Sequence, residues 1–505
     1  MTSIVTRSSV LALKKEVTEG TPVLPTAAAD YIAQQDDFTM EPSFDVLENA
    51  ELKSSIGKAK SILGAENPTA SISHYLRSSG VAGQKPNFGF LLESCLGSVA
   101  AASTEYDTVA GSTTSVLNVD AGEGVNFQRG QALLIKDPVN GYRIRALDSI
   151  ATDALTIGFQ VPSAPASGVN LGKAVLYYPA NVDHPTLTLW HYLGNGGAIQ
   201  MMSGSRVTSV QFTFTAGELI NGSYSLEGIA FYFDPINITS TDIYLDFTDD
   251  DGTWAAAVTA KVYKSPHELA DALAAAMNAA NSGETATVTY SNTTGKFTIK
   301  TTGTVLSLLW NTGTNAANTI GDKIGFSTAA NDTGTVATTG YTSDNAISYA
   351  SPQTPSFDAA DPLAAKDNEV MIGDTTDYLC FGASEVSVQI STPKANKLSV
   401  CSQSGIAGSI ISSREVEISV TALLDKYDAD KFRRFTGNVQ TKFQYSFGEK
   451  SGGNWVAGKC GCVYIPTATI TSWNVDDADG LAQLNMTLMA YVDSSGNGEV
   501  YINTL

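Results

Sequence analysis

The four histidines, His74, His184, His191 and His267, are the side chains best suited to move a proton or ligate a metal near neutral pH, and they are dispersed along the 505-residue chain. None has a Cys, Asp or Glu at metal-ligand spacing with a second partner, which a zinc centre requires. The five cysteines, Cys95, Cys380, Cys401, Cys460 and Cys462, are odd in number and scattered. Cys460-Gly-Cys462 is too tight for a zinc pair, and in a strand both thiols would share one face, so all five read as buried or half-buried thiols. Asp249-Asp-Asp-Gly252 has the start of a calcium loop but lacks the glutamate needed at the twelfth position, and it reads as an Asp-Gly hairpin turn. No Gly-x-Ser-x-Gly elbow, phosphate-cradling Gly-x-x-x-x-Gly-Lys-Ser/Thr or dinucleotide fingerprint occurs. These residues predict no catalytic site, no metal and no cofactor.

The elements that would carry any site are short strands. Charged residues make up 16% of the chain and hydrophobic ones 43%, enough apolar material for several cores. Runs of Val, Ile, Phe and Tyr between Gly or Asn-Asp turns predict a mainly β protein. Against 51 acidic residues stand 30 Lys plus Arg, a formal charge of −21. Without a basic run to neutralise phosphates, such a chain binds nucleic acid poorly. Arg7, Lys14 and Lys15 precede no apolar segment of the kind a cleaved secretory signal needs, and no run reaches the length of a membrane span.

A long self-similarity organises the chain. Thr186-Leu-Thr-Leu-Trp-His-Tyr192, a glycine-rich turn and Gly204-Ser-Arg-Val-Thr-Ser-Val210 correspond to Thr441-Lys-Phe-Gln-Tyr-Ser-Phe447, another such turn and Ala468-Thr-Ile-Thr-Ser-Trp473. Both copies pass through a glycine, Gly217 or Gly480, and close on Ala230-Phe-Tyr-Phe-Asp234 or Ala490-Tyr-Val-Asp493. Upstream, Phe38-Thr-Met40 and Val386-Ser-Val-Gln-Ile390 each lead into a long polar loop, Glu48 to Glu66 or Pro393 to Gly408, and return through Ala70 to Leu76 or Val416 to Leu424. A short helix follows in each: Asn87 is expected to cap Phe88 to Leu96 before Gly97, and Asp428 to cap Ala429 to Thr436 before Gly437. Each unit predicts a β-sandwich or half-barrel with one short helix.

The expected organisation is a discontinuous first unit (1–98 and 183–235), an inserted β-module resembling a small barrel (99–182), an inserted α+β module (236–343), a linker (344–374) and a second unit (375–505). In the α+β module Ser265-Pro-His-Glu268 is a capping box, with Leu269, Leu273, Ala276 and Met277 at helical spacing. Trp190, Trp254, Trp310, Trp455 and Trp473 all fall in β-like segments, where core packing or a glycan-binding face would explain them. Trp473 fits the core best, since Val210 holds the matching position.

From Leu11 to Gly97 the order Lys15-Glu16, Gly20-Thr-Pro, a long loop, Leu76-Arg-Ser-Ser-Gly80, Gly83, Pro86, Leu91-Leu92 and Leu96-Gly97 resembles the opening of tail tube proteins of long-tailed, non-contractile bacteriophages. The resemblance implies a structural virion protein of the phage tail, assembled in the host cytoplasm, that forms rings stacked into a tube through which genome DNA passes without tight binding. Two such folds per chain imply homotrimeric rings, a pseudo-hexamer, with tape measure, tail terminator and tail tip proteins as partners and no membrane anchor. It further implies an acidic lumen and places ring-stacking contacts on the two long loops, at Glu48, Asn49, Glu51, Lys53, Lys58, Lys60, Lys394 and Lys397, and on the arm before Asp36. The alternatives are a β-rich adhesin or glycan-binding fibre, and an enzyme using paired carboxylates on glycans.

Overall fold

The computed structural model describes residues 4–51, 57–194, 197–281, 283–334, 339–349, 352–380, 382–423, 429–493 and 498–505. The chain divides into two compact units, one formed by Leu11–Leu189, Ser203–Ala230 and Thr354–Leu505, the other by Met1–Val10, Trp190–Met202 and Phe231–Gln353.

The first and larger unit is built on antiparallel ladders. In its first half the strands are β1 (Val10–Lys15), β2 (Tyr31–Ile32), β3 (Thr39–Glu41), β4 (Phe44–Leu47), β5 (Ile62–Glu66), β6 (Thr69–Tyr75), β7 (Leu187–Leu193), β8 (Ala198–Thr215) and β9 (Asn221–Glu227), with helix α1 (Gly89–Leu96) between β6 and β7. Pairing runs β3 to β6, β6 to β9, β9 to β8, β8 to β7, β7 to β1 and β1 to β2. The second half has β10 (Glu369–Gly373), β11 (Tyr378–Cys380), β12 (Ala383–Ser391), β13 (Lys394–Leu398), β14 (Ile406–Ile411), β15 (Glu415–Leu423), helix α2 (Ala429–Thr436), β16 (Thr441–Ser451), β17 (Asn454–Ala478), β18 (Leu481–Ala490) and β19 (Tyr501–Thr504). There pairing runs β12 to β15, β15 to β18, β18 to β17, β17 to β16, β16 to β10 and β10 to β11, the same order. The recurrence extends to a bulge: the register shifts between Val207 and Ser209 in β8 and between Ile470 and Ser472 in β17.

Alternation fixes which face is buried. Tyr224 and Leu226 on β9, Val386, Val388 and Ile390 on β12, Val416, Ile418 and Val420 on β15, and Leu484, Met486 and Leu488 on β18 all point into the core. Each such side chain is worth roughly 1.5–3 kcal/mol in transfer free energy, and a one-residue slip would turn the whole set outward. Helix α1 ends as expected on Gly97, whose φ of 98° closes the last turn through an N–H donated to Glu93 O. Its start differs from expectation. Phe88 holds the cap position, while the Asn87 side-chain amide donates to Tyr31 O (2.8 Å) and Ser356 O (2.9 Å), tertiary acceptors that outcompete the local cap. Asp428, the cap expected for α2, lies outside the described residues.

Residues 99–182 contribute a six-stranded sheet in which Ala132–Asp137, Gly141–Ala151 and Ala154–Ile157 form a meander. One face encloses Leu133, Ile135, Leu147, Leu155 and Ile157. The other packs Ala132, Leu134, Ile144 and Ala146 against Trp455, Cys462 and Tyr464 of β17. Buried Gln444 donates to Ile144 O (2.9 Å) and accepts from Ala146 N (3.2 Å), and Asn503 accepts from Ala132 N (2.9 Å). The sheet is therefore stitched into the unit's core. Within 344–374, Leu363 and Ala365 are buried, and Glu369–Gly373 ladders with β16.

In the other unit the helix Pro266–Ala280 starts on Ser265, whose hydroxyl accepts from Glu268 N at 3.3 Å, and buries Leu269, Leu273 and Met277. These pack on Leu245, Phe247, Val288, Phe297, Ile299 and Trp310. Asp249 pairs with Gly252 across the expected hairpin turn. Asp249, Asp251 and Glu284 approach one another there, and Asp249 already accepts from Trp254 Nε1 (3.0 Å) and Asn281 Nδ2 (2.6 Å).

Candidate assembly surface

The two long loops singled out in the sequence are β-hairpin arms. In the first, Val46 faces Leu63 and Leu47 faces Ile62; in the second, Lys394 faces Ile411 and Leu398 faces Ile406. The base of the first arm lies against the turn end of the second, where Glu66 N donates to Ser404 O (3.0 Å) and Asn396 Nδ2 to Asn67 Oδ1 (2.8 Å). Gly405, at φ 76°, allows the closest approach, since a Cβ there would come within 3.3 Å of Ala65 Cα.

Arg206 roots the second arm. Its buried guanidinium donates to Ser409 Oγ (2.8 Å), Ser409 O (3.0 Å) and His184 O, and pairs with Glu19 at 3.3 Å. Glu19 in turn accepts from Ser409 N at 2.7 Å. Lys394, expected on the stacking surface, is another root: its side chain is 0% exposed, donates to Gly228 O (2.9 Å) and lies 3.7 Å from Glu227. Burial pushes its ammonium below the ordinary lysine range, and Glu227 offsets part of that push. Of the other expected residues, Glu48, Glu51, Lys58, Lys60 and Lys397 are exposed, Asn49 is half-buried, and Lys53 lies outside the described residues.

What residue-type reasoning missed is that the arms are apolar. Val46, Leu47, Ile62 and Leu63 are 56–63% exposed, Leu398 is 75% exposed and Val400 fully so. So many large aliphatic side chains held in water on two adjoining ribbons mark an interaction surface. The signal was present in the alternation of Phe44-Asp-Val46 and Leu398-Ser-Val400 at the flanks of polar tips. The arm before Asp36, by contrast, is anchored in the interior at two places. Leu11, Ala12, Leu13, Tyr31 and Ile32 are buried, and Glu16 accepts from Gly20 N, Thr186 Oγ1, Thr188 Oγ1 and Gly204 N. Burial raises the Glu16 carboxyl above its usual range, and those four donors oppose the rise. Cys401 is exposed, a correction to the buried-thiol expectation, while Cys95, Cys460 and Cys462 are buried.

A second surface is the outward face of the sheet joining the two halves. Strand β8 pairs with β12 from Ser209 opposite Ser391 to Thr215 opposite Glu385, so β6, β9, β8, β12, β15 and β18 lie side by side. Outward from these strands point Ser71, Ser223, Ser225, Gln211, Ser387, Gln389, Glu385, Glu415, Glu417 and Thr487. Arg206 is the one Lys or Arg in the six strands, and both it and His74 are buried. The wall is neutral to acidic and offers no group that would grip a phosphate.

Residues 6–231 match the family model described as phage tail tube protein. Among solved structures, the anti-feeding prophage cap (tube terminating cap) is 14% identical and covers 29% of this chain and 94% of its own, with a TM-score of 0.23. An Hcp protein is 16% identical (26% and 96% covered, TM-score 0.17), and a protein of the virion of a native gene transfer agent particle is 15% identical (24% and 90% covered, TM-score 0.18). No curated protein matches. The likeness to phage tail tube proteins runs through residues 6–231, less than half of the chain.

Proposed function

We propose that this chain is a structural tail tube protein that polymerises as stacked homotrimeric rings into the tail tube of a long-tailed, non-contractile phage, and that the tube is the conduit for DNA ejection. The observation that carries the reading is the recurrence of one strand-pairing order, with its bulge and its hairpin arm, in both halves of the chain. Two equivalent folds in one chain let three chains make a ring of six, and the apolar arms then contact the next ring. The outward sheet face, free of exposed Lys and Arg, supports its assignment to the lumen, because DNA slides past a wall that makes no phosphate contacts. Tape measure, tail terminator and tail tip proteins are the partners this role requires, with assembly in the host cytoplasm. The role asks no catalysis of the chain. A glycan-binding reading is disfavoured by the burial of Trp190, Trp310 and Trp455.

Negative-stain electron microscopy of the concentrated protein tests this. Hollow rings or tubes with threefold-modulated sixfold symmetry are expected. Compact particles that never close into rings, with or without tail tips as seeds, would overturn it.

A further inference from the structure

Side chains alternate along β19. Asn503 turns toward residues 99–182, donating to Gly130 O (3.0 Å) and accepting from Ala132 N (2.9 Å), and Tyr501 packs on Gly130, where a Cβ would come within 2.0 Å of its ring. Ile502 and Thr504 turn the other way and line a small cavity. Its wall is assembled from three stretches of the chain: Leu76, Ser78 and Phe214 belong to the first half, Phe447 and Thr504 to the second, and Leu363 to the segment between them. Leu363 is held in place by its own backbone, whose N–H donates to Leu76 O (2.9 Å) and whose carbonyl accepts from Ile220 N (2.9 Å).

The wall is mostly aromatic and aliphatic, and two hydroxyls stand out in it. Ser78 is 4% exposed, and neither Ser78 Oγ nor Thr504 Oγ1, both buried, has a hydrogen-bond partner among the described residues. The backbone beside them is engaged elsewhere: Gly80 N donates to Gly458 O (3.1 Å), Gly458 N to Leu505 O (2.7 Å) and Leu505 N to Cys460 O (2.9 Å). Arg77, also in the wall, donates to Ala360 O (3.1 Å). A hydroxyl buried among Phe and Leu side chains is costly without a partner, and two of them bordering one cavity point to a shared ligand.

We infer that the cavity is a binding site for a single water molecule, hydrogen-bonded to both Ser78 Oγ and Thr504 Oγ1, which links the two halves of the chain. The cavity gives the centre of a water-sized molecule about 10 Å3 of room, enough for one water and too little for a larger ligand. Each hydroxyl can donate or accept, so one water satisfies both. Because its two partners lie in different halves, the water is held only when both halves and Leu363 are in place. The site is a property of the subunit, whatever assembly it enters.

Thr504→Val tests this by replacing the hydroxyl with a methyl group of similar size. With water bound, the change breaks a hydrogen bond, and the guanidinium midpoint of the dilute subunit is expected to fall. In a dry cavity the same change would remove an unsatisfied polar group, and the midpoint would rise. Ser78→Ala is expected to lower the midpoint as well. The double variant is expected to shift it by less than the sum of the two single shifts, because a water that loses one partner gives up the other. A rise with Thr504→Val, or additive shifts, would overturn the site. A crystal structure of the unaltered subunit decides independently of whether the variants fold: an ordered water within hydrogen-bond distance of both hydroxyls is expected. A cavity without that density, or one that takes up xenon under pressure as dry apolar cavities do, would overturn it.

Discussion

His74 should make the subunit sensitive to mild acid. The ring is buried, stacked 5.3 Å from Tyr224 and tilted 5.1 Å from Phe88, and Nδ1 is 3.1 Å from Tyr75 O, which assigns the proton to that nitrogen. Nε2 has no hydrogen-bond partner among the described residues, so an imidazolium there would be a desolvated charge. Burial depresses its pKa from 6.5 to about 4, the hydrogen bond to Tyr75 opposing in part. The sign follows from linkage: below 6.5 the unfolded chain takes up a proton that the folded chain refuses, so stability is full above pH 6.5 and falls as pH drops toward 4. At pH 5 the loss from this group alone is about 2 kcal/mol. His184 and His191 are shifted the same way by burial, so the total slope does not isolate His74. His74→Phe, which keeps a ring of similar size, does. Guanidinium unfolding of dilute subunit at pH 7.5 and pH 5, at equal ionic strength, should show the wild type losing about 2 kcal/mol more than the variant. Equal losses would refute the assignment of a buried neutral imidazole at this position.

Three further outcomes are expected. Arg206→Met strands Glu19 and the Ser409 carbonyl, and should cost about 3–5 kcal/mol in chemical denaturation; a cost under about 1 kcal/mol would show that the guanidinium does not root the arm. Gly97→Ala combines a φ of 98° with a Cβ placed 2.7 Å from Ala180 Cβ and should cost more than Gly217→Ala, whose φ is 83° but whose Cβ meets open space and which should cost about 1 kcal/mol; thermal unfolding compares the two. Leu398→Asp with Val400→Asp should leave subunit stability within about 0.5 kcal/mol, since both side chains stand in water, while abolishing tubes in electron microscopy. Normal tubes from this variant would remove the second arm from ring stacking.

The sequence by itself determined what depends on neighbours along the chain. Alternation in Val386-Ser-Val-Gln-Ile390 marked a strand and its buried face, the Ser265 to Glu268 box marked a helix start, and Gly97 marked a helix end, because period and capping are set within a few residues. The order of elements, read twice, recurs in the order of pairing. Asn87 shows where local reasoning stops: an ideal capping residue donates instead to two carbonyls brought near only by folding. Lys394 and Lys397 are the same residue type three positions apart, yet one is sealed against Glu227 and the other is exposed. Tertiary structure alone decided that residues 99–182 close the second half's core through Gln444 and Asn503, that the first arm's base meets the second arm's turn, and that Trp473, expected in the core, is only half-buried. Each of these turns on which distant strand lies alongside, and strand pairing is a long-range choice: the same alternating pattern satisfies any partner, until the assembled sheet leaves one edge covered and another bare.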